Sequence, residues 1–377
     1  MRDMEQKIQM VDLHGQYMKI KAEIDAAIAE VIDSSAFING PVVGRFASAL
    51  AQYTGARHVI PCGNGTDALQ IALMALGLKP GDEVIVPAFT YVASAEVIAL
   101  LGLRPVMVDV DRDTFNTDIR FIEKAITPRT RAIIPVHLFG QSCDMAPILD
   151  LAVAHGLYVV EDNAQSLGAV YTFPDGSHRH TGTLGHIGCT SFFPSKNLGC
   201  YGDGGALFTD DDTMAERIRM TANHGQKVKY HHDIIGCNSR LDTIQAAVLE
   251  VKLRHLDGYC EARRTAACRY NEMLQGVDGL ELPVETSFST HVYHQYTLKV
   301  ADGRRDALKE FLASKGIPSM IYYPLPLHRQ KAYAYDCTGL KIAETLADSV
   351  LSLPMHTELS VEAQERIAGA VAGFFKR

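Results

Sequence analysis

The residues of this chain that could do the most specific chemistry are a lysine and an acid in two separate motifs. Lys196 follows an apolar run and a proline in SFFPSKN (191–197), and a lysine held away from water has a lowered pKa and is nucleophilic. Asp162 ends the strand-like run in YVVEDNAQS (158–166), where it could keep the ring nitrogen of a pyridine cofactor protonated. Taken alone, Lys196 is better explained as a surface residue in a turn, and Glu161 and Asp162 could equally well cap a following helix.

A second group of residues could hold a phosphate. CGNGTDALQ (62–70) places two glycines between a strand-like run and a helix, where backbone amides and the helix dipole favour an anion. We expect Gly65, Thr66 and Asp67 to present their amides there, with Thr66 adding its hydroxyl. The same letters match the dinucleotide fingerprint G-x-G-x-x-A, but that fingerprint needs an acid at the end of the second strand, where Pro87 stands. A nicotinamide cofactor is therefore disfavoured.

Three further side chains could contact a ring or a substrate. Tyr91, after the second strand-like run, could stack on a pyridine face, although it could equally be a core tyrosine. Gln165 lies three residues beyond Asp162 and could hydrogen-bond a phenolic oxygen of the same ring. Arg240 is expected on a helix capped by Asn238 or Ser239, where it could bind a substrate carboxylate or phosphate or make an ordinary ion pair.

The bulk composition excludes several classes of protein. The chain has 377 residues and a formal net charge of −8, and without a basic face it is not expected to bind nucleic acid. No apolar stretch reaches the roughly 18 residues of a spanning helix, and the first residues lack a signal-peptide pattern. Eight scattered cysteines are typical of reduced thiols in a cytoplasmic protein. The histidines near 178–186 fit a polar loop, so we expect no metal site.

The pattern of apolar runs predicts the fold class. Strand-like runs alternate with helical stretches and indicate an α/β domain with a mainly parallel sheet. They lie at 58–62, 83–87, 104–110, 131–137 and 157–162. The N-terminal region is expected to hold one helix. After a long helical stretch over 241–275, strands at 293–300 and 317–324 and helices near 305–314 and 360–375 predict a smaller α+β domain. We expect a large domain over 1–255 and a small C-terminal domain over 256–377.

Together these motifs resemble the sugar aminotransferases of the DegT/DnrJ/EryC1/StrS family, which have the aspartate-aminotransferase-like fold type I. The similarity runs along most of the chain and includes FINGP, GNGTDAL, GDEVIVPAFTYVAS, PVMVDVD, VEDNAQSLGA, TSFFPSKNLGCYGDGGA, NHGQ, NSRLDTIQAA and IYYPLPLH. The resemblance implies pyridoxal 5'-phosphate (PLP) as cofactor. Lys196 is then the Schiff-base lysine and proton shuttle, Asp162 pairs with the pyridinium nitrogen, Gln165 contacts the phenolic oxygen, and Tyr91 stacks on the ring.

The family pattern also assigns phosphate and subunit contacts. It implies that Gly65, Thr66 and Ser191 hold the cofactor phosphate. Asn238 would reach the phosphate of the neighbouring subunit's cofactor, since family members are homodimers with active sites at the interface. We expect Tyr322 and Tyr323, in IYYPLPLH, to bind substrate.

Within the family, the motifs are most similar to enzymes that aminate C3 of UDP-2-acetamido-2-deoxy-3-oxo-glucuronate for lipopolysaccharide O-antigen, with L-glutamate as donor. Arg240 would then bind the sugar carboxylate. Three alternatives stay open. One is a 4-aminotransferase of UDP- or dTDP-4-keto-6-deoxy sugars, which would share every cofactor motif. The others are a nicotinamide oxidoreductase and a non-catalytic protein that keeps the fold.

Overall fold

The computed structural model describes residues 8–333 and 339–376. Its α-helices are α1 (Leu13–Lys19), α2 (Lys21–Ser34), α3 (Pro41–Thr54), α4 (Gly65–Leu76), α5 (Ala93–Leu100), α6 (Ile119–Ala125), α7 (Met145–His155), α8 (Asp212–Ala222), α9 (Thr243–Leu253), α10 (Leu256–Leu274), α11 (Arg305–Ser314), α12 (Lys341–Ser349) and α13 (Val361–Phe375). Its strands are β1 (His58–Cys62), β2 (Glu83–Pro87), β3 (Arg104–Val108), β4 (Thr130–Ile133), β5 (Tyr158–Asp162), β6 (Val170–Thr172), β7 (His178–His180), β8 (Ile187–Ser191), β9 (Gly205–Thr209), β10 (Gln226–Val228), β11 (His231–His232), β12 (Leu280–Glu281), β13 (Tyr296–Val300) and β14 (Val350–Leu353).

A seven-stranded sheet lies in the first two thirds of the chain, in the order β1-β9-β8-β5-β4-β2-β3. The neighbours from β8 to β3 pair in parallel, and only β9 runs against its neighbours. Helices α4 and α5 pack an apolar core against this sheet, because buried parallel strands need helices over their faces. The predicted α/β class with a mainly parallel sheet is confirmed.

The sheet topology decides where the functional motifs meet. In parallel strands all carboxyl ends lie at one edge, and ligands collect in the crevice outside that edge. Asp162 is the last residue of β5, and Ser191 is the last residue of β8. The chain leaves β1 into the turn before α4 and leaves β2 toward Tyr91. The motifs singled out from the sequence therefore converge at this edge.

A separate core lies toward the C-terminus. The small antiparallel sheet β12-β13-β14 packs against α10, α11 and α13 through buried aromatic and aliphatic side chains. The expected boundary between residues 255 and 256 coincides with the break between α9 and α10, at Arg254 and His255. The division into two domains stays a prediction.

Several predicted elements differ from the structure. The N-terminal region contains two helices, α1 and α2, and the stretch over 241–275 is also two helices. The strand predicted at 317–324 is absent, since this segment pairs with β14 only at Met320. Its prolines, Pro318 and Pro324, lack an N–H for a longer ladder. Within the described residues, no helix is both long and apolar enough to span a bilayer.

Candidate active site

A cavity of about 530 Å³ opens at the carboxyl edge of the central sheet. Four strands contribute residues predicted from the sequence, which are Gly65 and Thr66 after β1, Tyr91 after β2, Asp162 and Gln165 at β5, and Ser191 at the end of β8 with Lys196 after it. Tyr322 and Tyr323 close the cavity from the other side. The structure thus brings together most of the residues that the sequence singled out.

The side-chain amine of Lys196 has the properties of a nucleophile. Burial lowers its pKa to about 8, while the negative charge of Asp162 acts in the opposite direction. In the described part of the chain its Nζ has neither a hydrogen bond nor an ion pair. Lys252 is a useful contrast, because its buried Nζ donates to the carbonyl oxygen of Gly199 at 2.6 Å. The amine of Lys196 is therefore both desolvated and available.

The carboxylate of Asp162 is held in one orientation. Its side chain is buried, and its Oδ2 accepts a hydrogen bond from Ser94 Oγ at 2.7 Å. Its Oδ1 accepts from the backbone N–H of Ala164 at 3.1 Å. The backbone N–H of Asp162 donates to the carbonyl of Pro135, and its carbonyl accepts from the N–H of His137. A fixed carboxylate of this kind can stabilise a positive charge at a defined point in the cavity.

Glu161, the residue before Asp162 in β5, anchors the end of this strand through a buried hydrogen-bond network. Its fully buried carboxylate accepts hydrogen bonds from the backbone N–H groups of Gly182, Leu184 and Gly185, at 2.8, 2.6 and 2.6 Å. His137 Nε2 lies 2.8 Å from the same carboxylate, while its Nδ1 accepts from the N–H of Cys143. His137 therefore donates through Nε2. In sequence reasoning Glu161 was only an alternative helix cap, and nothing local indicated this network.

The N-terminus of α4 forms an anion-binding turn. The N–H groups of Gly65 and Thr66 have no partner among the described residues, as is normal for the first helical turn. A Cβ on Gly65 would lie 2.6 Å from Ser191 Cβ, so only glycine lets the two segments approach. Asp67 differs from the expectation, because its N–H donates to Asn64 Oδ1 at 2.8 Å and the residue does not line the cavity. Its amide is therefore not presented to a phosphate.

Aromatic rings and one amide line the opposite wall. Tyr91 is exposed, and its ring centroid lies 6.2 Å from that of Tyr323. Gln165 Oε1 accepts from the N–H of Phe139 at 2.7 Å, and its Nε2 donates to Tyr323 Oη at 3.1 Å. Since an amide nitrogen carries two hydrogens, Gln165 keeps one for a ligand. Burial raises the pKa of Tyr323, so its hydroxyl stays protonated.

Two predicted site residues lie outside the cavity. Asn238 and Arg240 are exposed, in a segment that precedes α9. The prediction that Asn238 or Ser239 caps a helix carrying Arg240 is wrong, since α9 begins only after Asp242. The hydroxyl of Ser239 is occupied elsewhere, donating to Asp67 and accepting from a backbone N–H of the glycine turn. Neither exposed side chain has a hydrogen bond or an ion pair within residues 8–333 and 339–376.

Other cavity residues were missed by sequence reasoning. They include Asn64, Phe193, Ser195, Asp203, His294 and Gln295. The last two belong to YHQYTLKV, which was read only as a strand, whereas β13 begins after them. Their polar types at the start of an apolar run were the available signal. Among residues 8–333 and 339–376, no three His, Cys, Asp or Glu side chains are grouped to hold a metal ion.

Comparison with known proteins extends this picture. The profile of the DegT/DnrJ/EryC1/StrS aminotransferase family matches residues 18–372. Three relatives are each 46% identical: a "pleiotropic regulatory protein" of Geobacillus stearothermophilus (98% of this chain, 99% of the relative), a UDP-2-acetamido-2-deoxy-3-oxo-D-glucuronate aminotransferase of Pseudomonas aeruginosa (97% and 99%), and a UDP-N-acetyl-3-dehydro-alpha-D-glucosamine 3-aminotransferase of Acidithiobacillus ferrooxidans (97% and 97%).

Solved structures have the same fold. S. venezuelae DesV in complex with a ketimine intermediate superposes with a TM-score of 0.94, at 43% identity over 98% of this chain and 99% of that one. Bacillus subtilis NtdA with bound cofactor PMP gives a TM-score of 0.90, at 31% identity over 100% and 87% of the chains. The predicted fold type I is therefore confirmed.

Proposed function

Because the chain belongs to the DegT/DnrJ/EryC1/StrS aminotransferase family, we propose a specific reaction for it. The protein is a PLP-dependent aminotransferase acting on nucleotide-linked keto sugars. The amino group comes from L-glutamate and is delivered to C3 of UDP-2-acetamido-2-deoxy-3-oxo-glucuronate. This amino sugar belongs to lipopolysaccharide O-antigen synthesis, which places the protein in the cytoplasm. Two copies form a homodimer that completes each site.

The observation that carries this proposal is an unpaired, desolvated lysine amine in one cavity with a fixed carboxylate and a free helix N-terminus. These residues fit PLP. The uncommitted amides of Gly65 and Thr66, with Ser191, suit its phosphate. Asp162 suits its ring nitrogen, and Tyr91 suits one face of the ring. A Cβ on Gly65 would lie 2.6 Å from Ser191 Cβ, so glycine at this position lets the two segments that would hold the phosphate approach each other.

Bound PLP supplies an aldehyde that bonds to amines and a protonated ring that withdraws electrons. The protein supplies the rest. Lys196, whose amine is neutral above about pH 8, would bond to that aldehyde in the absence of substrate and would be released by a substrate amine. The released amine would then take a proton from the amino-bearing carbon of the donor and, in the second half-reaction, give one to the sugar carbon. Asp162, fixed by Ser94, keeps the proton on the ring nitrogen.

The substrate assignment depends on a carboxylate. Relatives named for a 3-oxo-glucuronate and for a 3-dehydro-glucosamine are equally identical to this chain, so C3 is favoured over C4. Arg240 lies outside the cavity of its own chain, so we propose that it contacts the uronate in the site of the other copy of the homodimer. Its exposed guanidinium has no ion pair among the described residues and can bind a carboxylate through paired hydrogen bonds. The competing substrate is the same sugar with a hydroxymethyl group at C6.

The half-reaction run backward separates these substrates. PLP-loaded protein is mixed with a UDP-3-amino-hexuronate, with the corresponding 3-amino-glucosamine, and with UDP- and dTDP-4-amino-6-deoxy sugars. The visible band of the bound cofactor is followed as it bleaches. We expect the 3-amino-hexuronate to react at least about tenfold faster than the 3-amino-glucosamine, the effect of one well-placed ionic contact.

Arg240→Gln should remove this preference without affecting bleaching by L-glutamate. The control is Arg254→Gln, an exposed arginine at the end of α9 that pairs with Glu23. Equal rates for both 3-amino sugars in the wild type would replace the uronate by the neutral sugar. Bleaching only by a 4-amino sugar would contradict the C3 assignment. If the protein showed no visible absorption band after PLP was added, the assignment of PLP as its cofactor would be contradicted.

A further inference from the structure

Two neighbouring polar side chains in the wall of the Lys196 cavity lack hydrogen-bond partners in the part of the chain that the structure describes. His294 is 9% exposed, and its Nδ1 is buried without a partner. The Oε1 of Gln295 is buried without a partner as well. Both residues line the cavity. Buried polar atoms in folded proteins are nearly always paired, so two unpaired atoms on residues that line a cavity are candidates for hydrogen bonds to a ligand.

The segment that carries these side chains is held firmly by its backbone. Arg263, buried in α10, donates from one guanidinium nitrogen to the carbonyls of Tyr293 and His294, at 3.1 and 3.3 Å. The N–H of Gln295 donates to the carbonyl of Phe139 at 3.3 Å. These contacts hold the backbone of residues 293–295. The backbone from which the two side chains reach the cavity wall is therefore fixed.

The protonation state of His294 decides what the pair can recognise. Burial, with the positive charges of Lys196 and Arg263, holds the pKa of His294 well below its usual range. The ring is therefore neutral at physiological pH and has one donor and one acceptor nitrogen. Gln295 likewise offers an acceptor oxygen and a donor nitrogen. Together, His294 and Gln295 can bind a ligand group that both donates and accepts hydrogen bonds.

We propose that His294 and Gln295 are specificity-determining residues that bind a hydroxyl or amide N–H of the sugar substrate next to Lys196. The inference rests on the proposed function. It assigns His294 and Gln295 to the sugar substrate and not to the amino-acid donor. A carboxylate of the donor amino acid only accepts hydrogen bonds, so it cannot partner Gln295 Oε1. A sugar hydroxyl can donate to that oxygen and accept from the imidazole N–H.

The test separates the two half-reactions in PLP-loaded protein. Gln295→Met keeps the size of the side chain and removes its amide. We expect kcat/KM for bleaching by the UDP-3-amino-hexuronate to fall about 10- to 100-fold, because a site built to hydrogen-bond a substrate is left unpaired. Bleaching by L-glutamate should stay unchanged, which also shows that the variant is folded and holds its cofactor. Gln275→Met, an exposed glutamine after α10, is the matched control.

A second pair of variants tests the chemistry of the contact. Gln295→Glu keeps an acceptor oxygen and should retain more activity with the amino sugar than Gln295→Met does. His294→Phe should weaken the sugar half-reaction and leave the glutamate half-reaction intact. Equal losses in both half-reactions, or no loss in either, would overturn the inference while leaving the proposed function standing. If the wild-type protein reacted with no amino sugar at all, the proposed function would fail and the inference with it.

Discussion

Lys196 and Asp162 act on each other through charge across one cavity, since burial lowers the pKa of the lysine to about 8 while the carboxylate partly restores it. The two residues come from different strand ends, β8 and β5, which pair directly in the sheet. Parallel pairing is therefore the reason that two motifs far apart in the chain share a site. Because burial outweighs the effect of Asp162, the amine of Lys196 stays reactive near neutral pH. The negative charge of Asp162 remains available to stabilise a protonated ring nitrogen of the cofactor.

The first prediction concerns the pH at which Lys196 reacts. In the cofactor-free protein, labelling of this amine by an amine-selective reagent should rise with pH through a midpoint of about 8, because only the neutral amine is nucleophilic. Asp162→Asn removes a charge that raises the pKa, so its midpoint should move lower. Peptide mass spectrometry over pH 6–11 measures both, with exposed lysines in the same digest as reference. A midpoint near 10.5, or an upward shift in Asp162→Asn, would contradict this account.

The second prediction concerns the turn at the start of α4. Gly65→Ala places a Cβ 2.6 Å from Ser191 Cβ and forces apart the two segments that would hold phosphate. PLP affinity should fall by at least about tenfold, as expected for an overpacked contact. Titration of the cofactor band measures the loss. Gly44→Ala in α3 is the control, since its added Cβ meets nothing within 4 Å and should leave PLP binding unaffected.

The third prediction concerns the buried carboxylate of Glu161, next to Asp162 in β5. Glu161→Gln places an amide where three backbone N–H groups and His137 converge, so at least one donor faces another donor. We expect a loss of about 3 kcal/mol in the free energy of unfolding. Urea denaturation of the cofactor-free protein measures it, with the exposed Glu310→Gln as control. An unchanged unfolding midpoint would show that the network does not stabilise the fold.

The fourth prediction concerns the hydroxyl that orients Asp162. Ser94→Ala removes the hydrogen bond to Oδ2, and bonds to charged groups contribute about 1.5–3 kcal/mol. The carboxylate can then turn away from a ring nitrogen, so kcat should fall about tenfold or more while KM for L-glutamate changes little. Ser314→Ala, at an exposed helix end, should match the wild type. A change in KM alone would instead indicate a contact with the substrate.

Sequence reasoning succeeded where short local motifs carry the information. Asp162 ends β5, the turn containing Gly65 follows β1, and Lys196 lies shortly after β8, so the positions of these strand ends at one edge of the sheet bring the three together. The α/β class could also be predicted, because the alternation of apolar runs and helical stretches is a local pattern in the sequence.

Sequence reasoning failed where contacts depend on distant segments. The capping of α9 was misplaced because the hydroxyl of Ser239 bonds to Asp67, far away in the chain. The amide of Asp67 was assigned to a ligand although Asn64 accepts its hydrogen bond. Glu161 and His294 were missed because their importance arises from burial and from groups on other elements. Single-sequence periodicity has no access to such partners.

The central claim is that Lys196 carries amino transfer with a nucleotide-linked amino sugar, and one measurement tests it most directly. PLP-loaded wild-type protein and Lys196→Ala are each incubated with a UDP-3-amino-hexuronate and 2-oxoglutarate, and the L-glutamate formed is measured by mass spectrometry. Lys124→Ala, at an exposed position on α6, is the control. We predict turnover in the wild type and the control, and a rate at least about 10²-fold lower in Lys196→Ala. Turnover by Lys196→Ala at the wild-type rate would contradict the account.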